Sequence, residues 1–424
     1  MRLGLSLLFC GLISFGFTQT YPYQEAISTL CSPPFAGRGY VNQGSEKAAA
    51  FIAQEFQKIG LQPLKRNNYL QNFSFPVQSF PGACQFILSN DTLQPGIDYL
   101  VDPASAGVQT PQQYTLVYCN IKSLYRNVNA FRPCPKDRML VVKTSGFGGD
   151  TNKVLQARLK ELQQFAAVLE ITTNKLTWSV SQTVLPYPAF IAKADRFVSQ
   201  PSSANIHLES VFHSAYKCSN VLAYLPAAQK AKNKPYIVLT AHYDHLGMMG
   251  QNTYFPGAND NASGVGMLLY LAQQLAKERN PNFNYVFIAF SGEEAGLLGS
   301  AYFVAHPIIP LKDIRFLLNT DIMGSGEEGI TVVNATLFKP EFEKLVELNQ
   351  KGNFLPQVKS RGPAANSDHY FFTEKGVPTF FVYTMGPNKN YHDVHDKYEA
   401  LSFAEFGDLA TLFYKFLNSF EPTH

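Results

Sequence analysis

Residues 236–244 read Tyr-Ile-Val-Leu-Thr-Ala-His-Tyr-Asp, an apolar run that ends on an imidazole and then a carboxylate. A short run without polar alternation fits a strand covered on both faces, as parallel strands are. The chain then repeats the pattern. Further strands are expected over 285–290, 316–318 and 379–382, and helices over 265–277, about 295–304, 340–349, 368–375 and 403–417. Asn261 and Ser263 open the first of those helices as capping residues. Strands alternating with helices predict an α/β fold, a mostly parallel doubly wound sheet with helices on both faces. In such sheets the functional crevice lies beyond the carboxyl ends of the strands.

The side chains at those ends are metal donors. His242 follows the first strand, Glu293 and Glu294 the second, and Asp321 the third; His392 lies in the loop after the fourth, and Asp260 precedes the helix that leaves the first. Two imidazoles with several carboxylates form the donor set of a zinc pair that shares one carboxylate. Groups so costly to bury sit beside apolar strands when a cation compensates them. Seven of the nine histidines fall after residue 216, which locates the chemistry in this half.

Each residue has a chemical reading. His242 and Asp244 are two apart, so in extended chain they share a side; His242 takes the metal and Asp244 holds its other ring nitrogen. His245 alternates away and reads as a hydrogen-bonded loop histidine. Asp260 has two oxygens with which to bridge two ions, although an Asx-rich helix start is written in the same residue types. Glu293 and Glu294 repel one another unless one binds metal and the other takes a proton. That assigns Glu294 to zinc and Glu293 to general-base work, accepting a proton from the attacking water and delivering it to the leaving amine; an acidic helix start is the structural alternative. Asp321 interrupts an apolar strand end, where an unpaired carboxylate would cost roughly several kcal/mol. In Tyr391-His-Asp-Val-His-Asp396, His392 is favoured as ligand over His395, because Tyr391 beside it can aim a phenol at a developing oxyanion.

The remainder of the chain is plainer. Arg2 and the apolar stretch 3–17 read as a secretory signal over 1–18, removed on export to a secreted or periplasmic location. The stretch is short for a membrane span, so no stable membrane anchor is expected. An amphipathic helix is expected over 45–59, within an amino-terminal part covering 19–67. Residues 68–215, rich in Pro, Gly, Gln and Ser with short apolar runs at 115–118, 139–142 and 167–170 and a helix over 152–165, read as a β-rich insert before the catalytic part at 216–424. Five cysteines follow Cys10, with Cys119 and Cys134 the nearest pair for a disulfide, and none has structural-zinc spacing. With 35 basic against 32 acidic residues, nothing marks nucleic acid as a partner.

Six segments together carry a resemblance: AHYDHLG at 241–247, GANDNASG at 257–264, FSGEEAGLLGS at 290–300, LNTDIMG at 318–324, SDHYFF at 367–372 and YHDVHD at 391–396. The chain resembles the co-catalytic zinc aminopeptidases of the bacterial leucyl aminopeptidase and aminopeptidase Y type, in metallopeptidase clan MH. FAGRGY at 35–40 looks like the usual amino-terminal part, and 68–215 sits where many members carry a protease-associated insert. The resemblance implies two Zn2+ per chain, one held by His242, Asp260 and Asp321, the other by Asp260, Glu294 and His392. Glu293 falls on the general-base position, Asp244 on the residue behind the ligands, and Tyr391 on a residue that stabilises the oxyanion in some members. Asp368 and His369 match a recurring motif near the cleft, and the extra imidazole at His395 departs from the pattern. Peptides are then the substrates, trimmed from the amino terminus. A glutaminyl-cyclase-like transferase with one zinc, a carboxypeptidase and a non-enzymatic receptor domain are the rivals on the same fold.

Overall fold

The computed structural model of the chain describes residues 21–421 apart from 66, 90, 147 and 230–233, so the signal reading at 1–18 lies outside the described residues. The strand that opens the sequence argument runs over Tyr236–His242 and lies inside a nine-stranded sheet. It pairs in parallel with Asn284–Phe290 on one side and Ile314–Asp321 on the other, and Ile314–Asp321 pairs in parallel with Thr379–Met385. These four strands are the expected ones, lengthened at their ends.

Their residues alternate between two cores. Ile237, Leu239 and Ala241 point into a large cluster with Leu268, Leu271 and Leu275 of helix Gly264–Lys277 and Leu409, Phe413 and Phe416 of helix Phe406–Asn418. Val238, Ile288 and Phe290 point the other way, onto Phe303 of helix Leu298–Ala305 and Phe372 of helix His369–Glu374. Burial on both faces is why these strands read as continuous apolar runs. The amino-terminal helix Gly44–Ile59 docks Ile52 and Phe56 into the large cluster and stops at Gly60, whose φ of +88° suits glycine.

Antiparallel strands flank the four parallel ones. Val211–Leu225 pairs with Asn284–Phe290, and Gly329–Val333 pairs with Thr379–Met385. The periodicity did not mark Val211–Leu225 because its first half is mostly exposed and only its second half is buried. Leu70–Ser79 also pairs with it and so belongs to the large sheet.

A second, eight-stranded sheet is built from strands between Cys84 and Leu208. Its centre is again parallel: Val108–Tyr118, Arg138–Lys143, Ala167–Thr172 and Ala189–Lys193 lie side by side. Helix Gly149–Leu162 covers one face through Leu155, Leu159 and Leu162. The other face meets Leu246, Met249 and Phe255 from the large-sheet half in one apolar cluster. All five described cysteines are free thiols, Cys119 and Cys134 included. Among the described residues no helix is long and apolar enough to cross a membrane.

Candidate metal centre

The parallel strands deliver their last residues to one crevice. His242, the final residue of its strand, is buried, and its Nε2 lies 3.3 Å from Asp260 Oδ1 and 4.0 Å from Asp321 Oδ1. His392 Nε2 lies 3.1 Å from Asp260 Oδ2 and 3.1 Å from Glu294 Oε2. The two oxygens of Asp260 therefore face two different imidazoles. One half of the centre is His242, Asp260 Oδ1 and Asp321; the other is His392, Asp260 Oδ2 and Glu294.

The donors fit a zinc pair. Zinc bonds of about 2.1 Å in a tetrahedral arrangement put neighbouring ligand atoms roughly 3.4 Å apart. Three of the four imidazole-to-carboxylate separations, at 3.1–3.3 Å, are close to that spacing, and the fourth, His242 to Asp321, is wider at 4.0 Å. The tautomers agree as well. His392 Nδ1 faces the Trp178 carbonyl at 3.0 Å and His242 Nδ1 faces the Asp244 carbonyl at 3.2 Å, so each ring donates backward and turns its Nε2 lone pair into the crevice.

Electrostatics make the same demand for positive charge. Burial works against a charged ring at His392, yet Glu294 and Asp260 overcome it and raise its pKa to about 11. Burial likewise opposes charge on His242, which Glu293, Asp321 and Asp260 nonetheless raise well above the usual imidazole range. Burial pushes the Glu294 carboxyl up, but His392 and the hydrogen bond from His245 more than offset it and hold it at about 2. Glu293 differs: burial, reinforced by Glu294, Asp368 and Asp321 against the pull of His242, raises it well above the carboxylate range. Adjacent carboxyls driven apart in this way are a mark of divided ligand and proton-transfer roles.

The surroundings fix each donor. Gly257, at φ +57°, turns the chain before Asp260, and a Cβ there would fall 2.3 Å from the Asp260 carbonyl and 2.4 Å from the His245 ring. Asp396 accepts the backbone N–H groups of Asn259 and Asp260, both at 2.9 Å. The wholly buried Arg38 guanidinium donates to the carbonyls of Tyr243, Pro256 and Gly257 at 2.6–2.7 Å, tying the loop after His242 to the loop before Asp260. Asp321 accepts from Asn261 Nδ2 at 2.6 Å and from Ser367 Oγ at 2.5 Å.

Two details differ from the sequence reading. The nearest acceptor for His242 Nδ1 is the Asp244 carbonyl; the Asp244 carboxylate stands 3.9 Å away. That carboxylate instead accepts from the Tyr40 hydroxyl at 2.5 Å and from the backbone N–H groups of Glu293 and Glu294 at 3.3 and 3.2 Å, so it orients the glutamate pair. His245 does not point away. Its Nδ1 is 2.7 Å from Glu294 Oε1 and its ring meets His392 edge-on, because the strand has already ended at His242 and the alternation of an extended segment no longer applies. Donor atoms of His245, Asp260 and Glu294 lie within 4.8 Å of one another, as do those of His242, Glu293 and Glu294.

Tyr391 lies at the rim, its ring stacked on His392 at 3.9 Å and 46% of the residue exposed. Asp368 is buried, and burial raises its pKa to about 8 against the pull of His242 and Ser300. Sequence reading missed Arg38, Tyr40 and Asp396 as supports. The first two stand inside the quoted FAGRGY segment and Asp396 ends YHDVHD, but nothing local shows which backbone groups they hold.

Residues 220–417 match the model of peptidase family M28. Aminopeptidase YwaD of Bacillus subtilis is 25% identical over 420 residues, covering 94% of this chain and 84% of that protein. A vacuolar membrane protease of Candida glabrata is 26% identical over 210 residues, 47% of this chain but only 21% of the protease, so the chain spans about a fifth of that relative. In fold the chain is similar to BSAP, a zinc aminopeptidase from Bacillus subtilis, with TM-score 0.69, 20% identity and 93% of each chain covered. It is similar also to a peptidase M28 precursor from Shewanella amazonensis, with TM-score 0.68, 15% identity, and 95% of this chain and 98% of that one covered.

Proposed function

We propose, for a chain whose residues 220–417 belong to peptidase family M28, that it is a di-zinc aminopeptidase hydrolysing the first peptide bond of peptides. The observation that carries this reading is Asp260, whose two oxygens stand 3.3 and 3.1 Å from two separate imidazoles. His242 and Asp321 would complete one zinc site, Glu294 and His392 the other. When bound, the zinc pair supplies Lewis-acid polarisation of the scissile carbonyl and acidifies the attacking water.

The chain's own residues do the remainder. Glu293, with its carboxyl raised by burial and its acidic neighbours, takes a proton from the water and hands it to the leaving nitrogen. Asp244 keeps Glu293 and Glu294 in place through their backbone N–H groups. Tyr391, half open to solvent at the rim, donates its phenol to the oxyanion that forms on the carbonyl. The free amine of the substrate is read by the carboxylates of the centre, which makes the enzyme an exopeptidase. Export, resting on the apolar stretch at 3–17, belongs to the same proposal, as does the partition into 19–67, an inserted module over 68–215 and a peptidase part over 216–424.

The test is Glu293→Gln, assayed on a panel of aminoacyl anilides with zinc content measured alongside. Two zinc ions should remain while kcat falls by about 10²–10⁴. Retained hydrolysis in the zinc-loaded variant would remove the general-base assignment. A wild-type chain that saturates with one zinc and cyclises amino-terminal glutamine would replace the hydrolase reading altogether.

A further inference from the structure

The two halves of the centre are supported differently. His242 and Asp321 are the last residues of central strands in the large sheet. Glu294 and His392 instead lie in loops, and a single loop from the other sheet touches His392 itself and the residue that follows Glu294. This loop, 174–182, joins Ala167–Thr172 to Ala189–Lys193. Gln182 Nε2 donates to the carbonyl of Ala295, the residue after Glu294, at 2.7 Å. At the other end Lys175 Nζ reaches the carbonyls of Lys389 and Tyr391 at 2.7 and 3.1 Å and the Asp393 carboxylate at 2.5 Å. Between them Trp178 clasps the ligand itself: its N–H donates to the His392 carbonyl at 2.9 Å, and its carbonyl accepts from His392 Nδ1 at 3.0 Å.

The clasp has work to do. His392 has φ +54°, in the left-handed region that a non-glycine residue enters with strain. Bonds to both its backbone and its ring hold that conformation and fix the tautomer. The loop is in turn anchored on its own side, with Trp178 Nε1 donating to the Val101 carbonyl at 2.8 Å and the indole stacked on Phe255 at 4.6 Å.

We infer that loop 174–182 of the second sheet assembles the half of the metal centre made by Glu294 and His392, with Lys175 and Trp178 as its positioning residues. The inference rests on the di-zinc reading and gives the inserted sheet a part in it. The first ion is held by the large sheet; the second needs both sheets docked. Loosening the loop should therefore yield a chain that binds one zinc tightly and one weakly, whereas general damage to the fold would weaken both.

The experiment is a stepwise zinc titration of the full chain, metal-stripped, against a chromogenic chelator. Lys175→Met is the main variant, since Lys175 is 46% exposed in its side chain and its loss leaves no core cavity. One of the two zinc affinities should fall by about 10–100-fold, the range typical of lost support behind a ligand, while the other stays at the wild-type value. Lys175→Arg should restore most of the loss. Lys153→Met, which removes an equal charge from a side chain 80% exposed on the helix Gly149–Leu162, should leave both affinities unchanged. Two unaltered affinities in Lys175→Met, or a parallel loss of both, overturns the inference. A wild-type chain that never binds a second zinc overturns the di-zinc reading beneath it.

Discussion

The nine-stranded and the eight-stranded sheet each place four parallel strands side by side at their centre, yet only one of the two ends in chemistry. At the carboxyl ends of the large sheet Asp244, Asp260, Asp321, Asp368 and Asp396 are each less than 5% exposed. The second sheet's central strands end in Tyr118, Lys143, Thr172 and Lys193, and Asp98, the buried carboxylate among its described residues, is paired with Arg196 at 2.8 Å. Of the described residues, both donor clusters belong to the large sheet. Parallel strands thus provide a place for a site, while buried acids without basic partners provide the reason for a metal.

The sharpest way to break that contrast is Asp260→Asn. The amide keeps the shape and the hydrogen-bonding loop but removes the charge facing both imidazoles. If the shared carboxylate is what distinguishes this sheet, both zinc affinities should weaken and hydrolysis should drop by roughly three orders of magnitude or more, several kcal/mol of lost electrostatic stabilisation. Metal analysis by mass spectrometry beside an anilide assay measures both. Two tightly bound ions in the variant would mean that the charge of Asp260 is not the organising feature.

How much of this was legible in the sequence follows from range. His242, Glu293, Glu294 and Asp321 could be marked because each sits at or just after the end of an apolar run, and His392 because it lies in the loop that follows the fourth such run; local pattern finds such places. Their mutual distances could not, because they depend on which strands are neighbours. Arg38 illustrates what local pattern misses: it stabilises loops more than 200 positions away through backbone carbonyls, which have no residue identity to read. Asp396 holds the N–H groups of Asn259 and Asp260 in the same silent way. His245 is the hydrogen-bonded loop histidine it was read as, but its direction was misjudged because alternation holds only while the strand continues, and the strand ends at His242. In the second sheet three of the four central strands were legible as short apolar runs and Ala189–Lys193 was not marked, while the contact of loop 174–182 with His392 is made by the backbone of Trp178 and was invisible.

A smaller effect tests the other side of the comparison. Leu159 is 3% exposed in the helix Gly149–Leu162, packed on the face of the second sheet that looks away from the large one. Leu159→Ala should cost about 2–5 kcal/mol of stability through the lost side chain and the cavity left behind, read from urea unfolding. Zinc stoichiometry below the unfolding transition should stay at the wild-type value. If the ions are lost while the chain remains folded, the second sheet would be part of the centre as a whole body rather than through one loop.

The smallest expected effect, and the most diagnostic of charge, is the pH dependence of the metal-stripped chain. Asp396 and Asp368, raised by burial to about 7 and about 8, keep protons that the unfolded chain has lost near pH 4, so their contribution falls as pH rises through those values. His392, raised to about 11 by Glu294 and Asp260 against burial, stabilises fully below pH 6.5 and loses that contribution as pH climbs toward 11. Groups of opposite sign finish earlier: His369, lowered by burial to about 4, adds stability only while pH rises from 4 to 6.5, and the depressed Glu294, at about 2, only from 2 to 4.5. Between pH 6.5 and 8.5 the native state therefore holds more protons than the unfolded state, and stability must decline. The melting temperature of the stripped chain should be several degrees lower at pH 8.5 than at pH 6.5, at roughly 1 °C per kcal/mol for a chain of 424 residues. Saturating zinc should reverse the slope, because its ligands bind as deprotonated groups and rising pH strengthens the hold. A stripped chain whose melting temperature climbs over the same interval would show that the buried acids are balanced within the protein and do not wait on a cation.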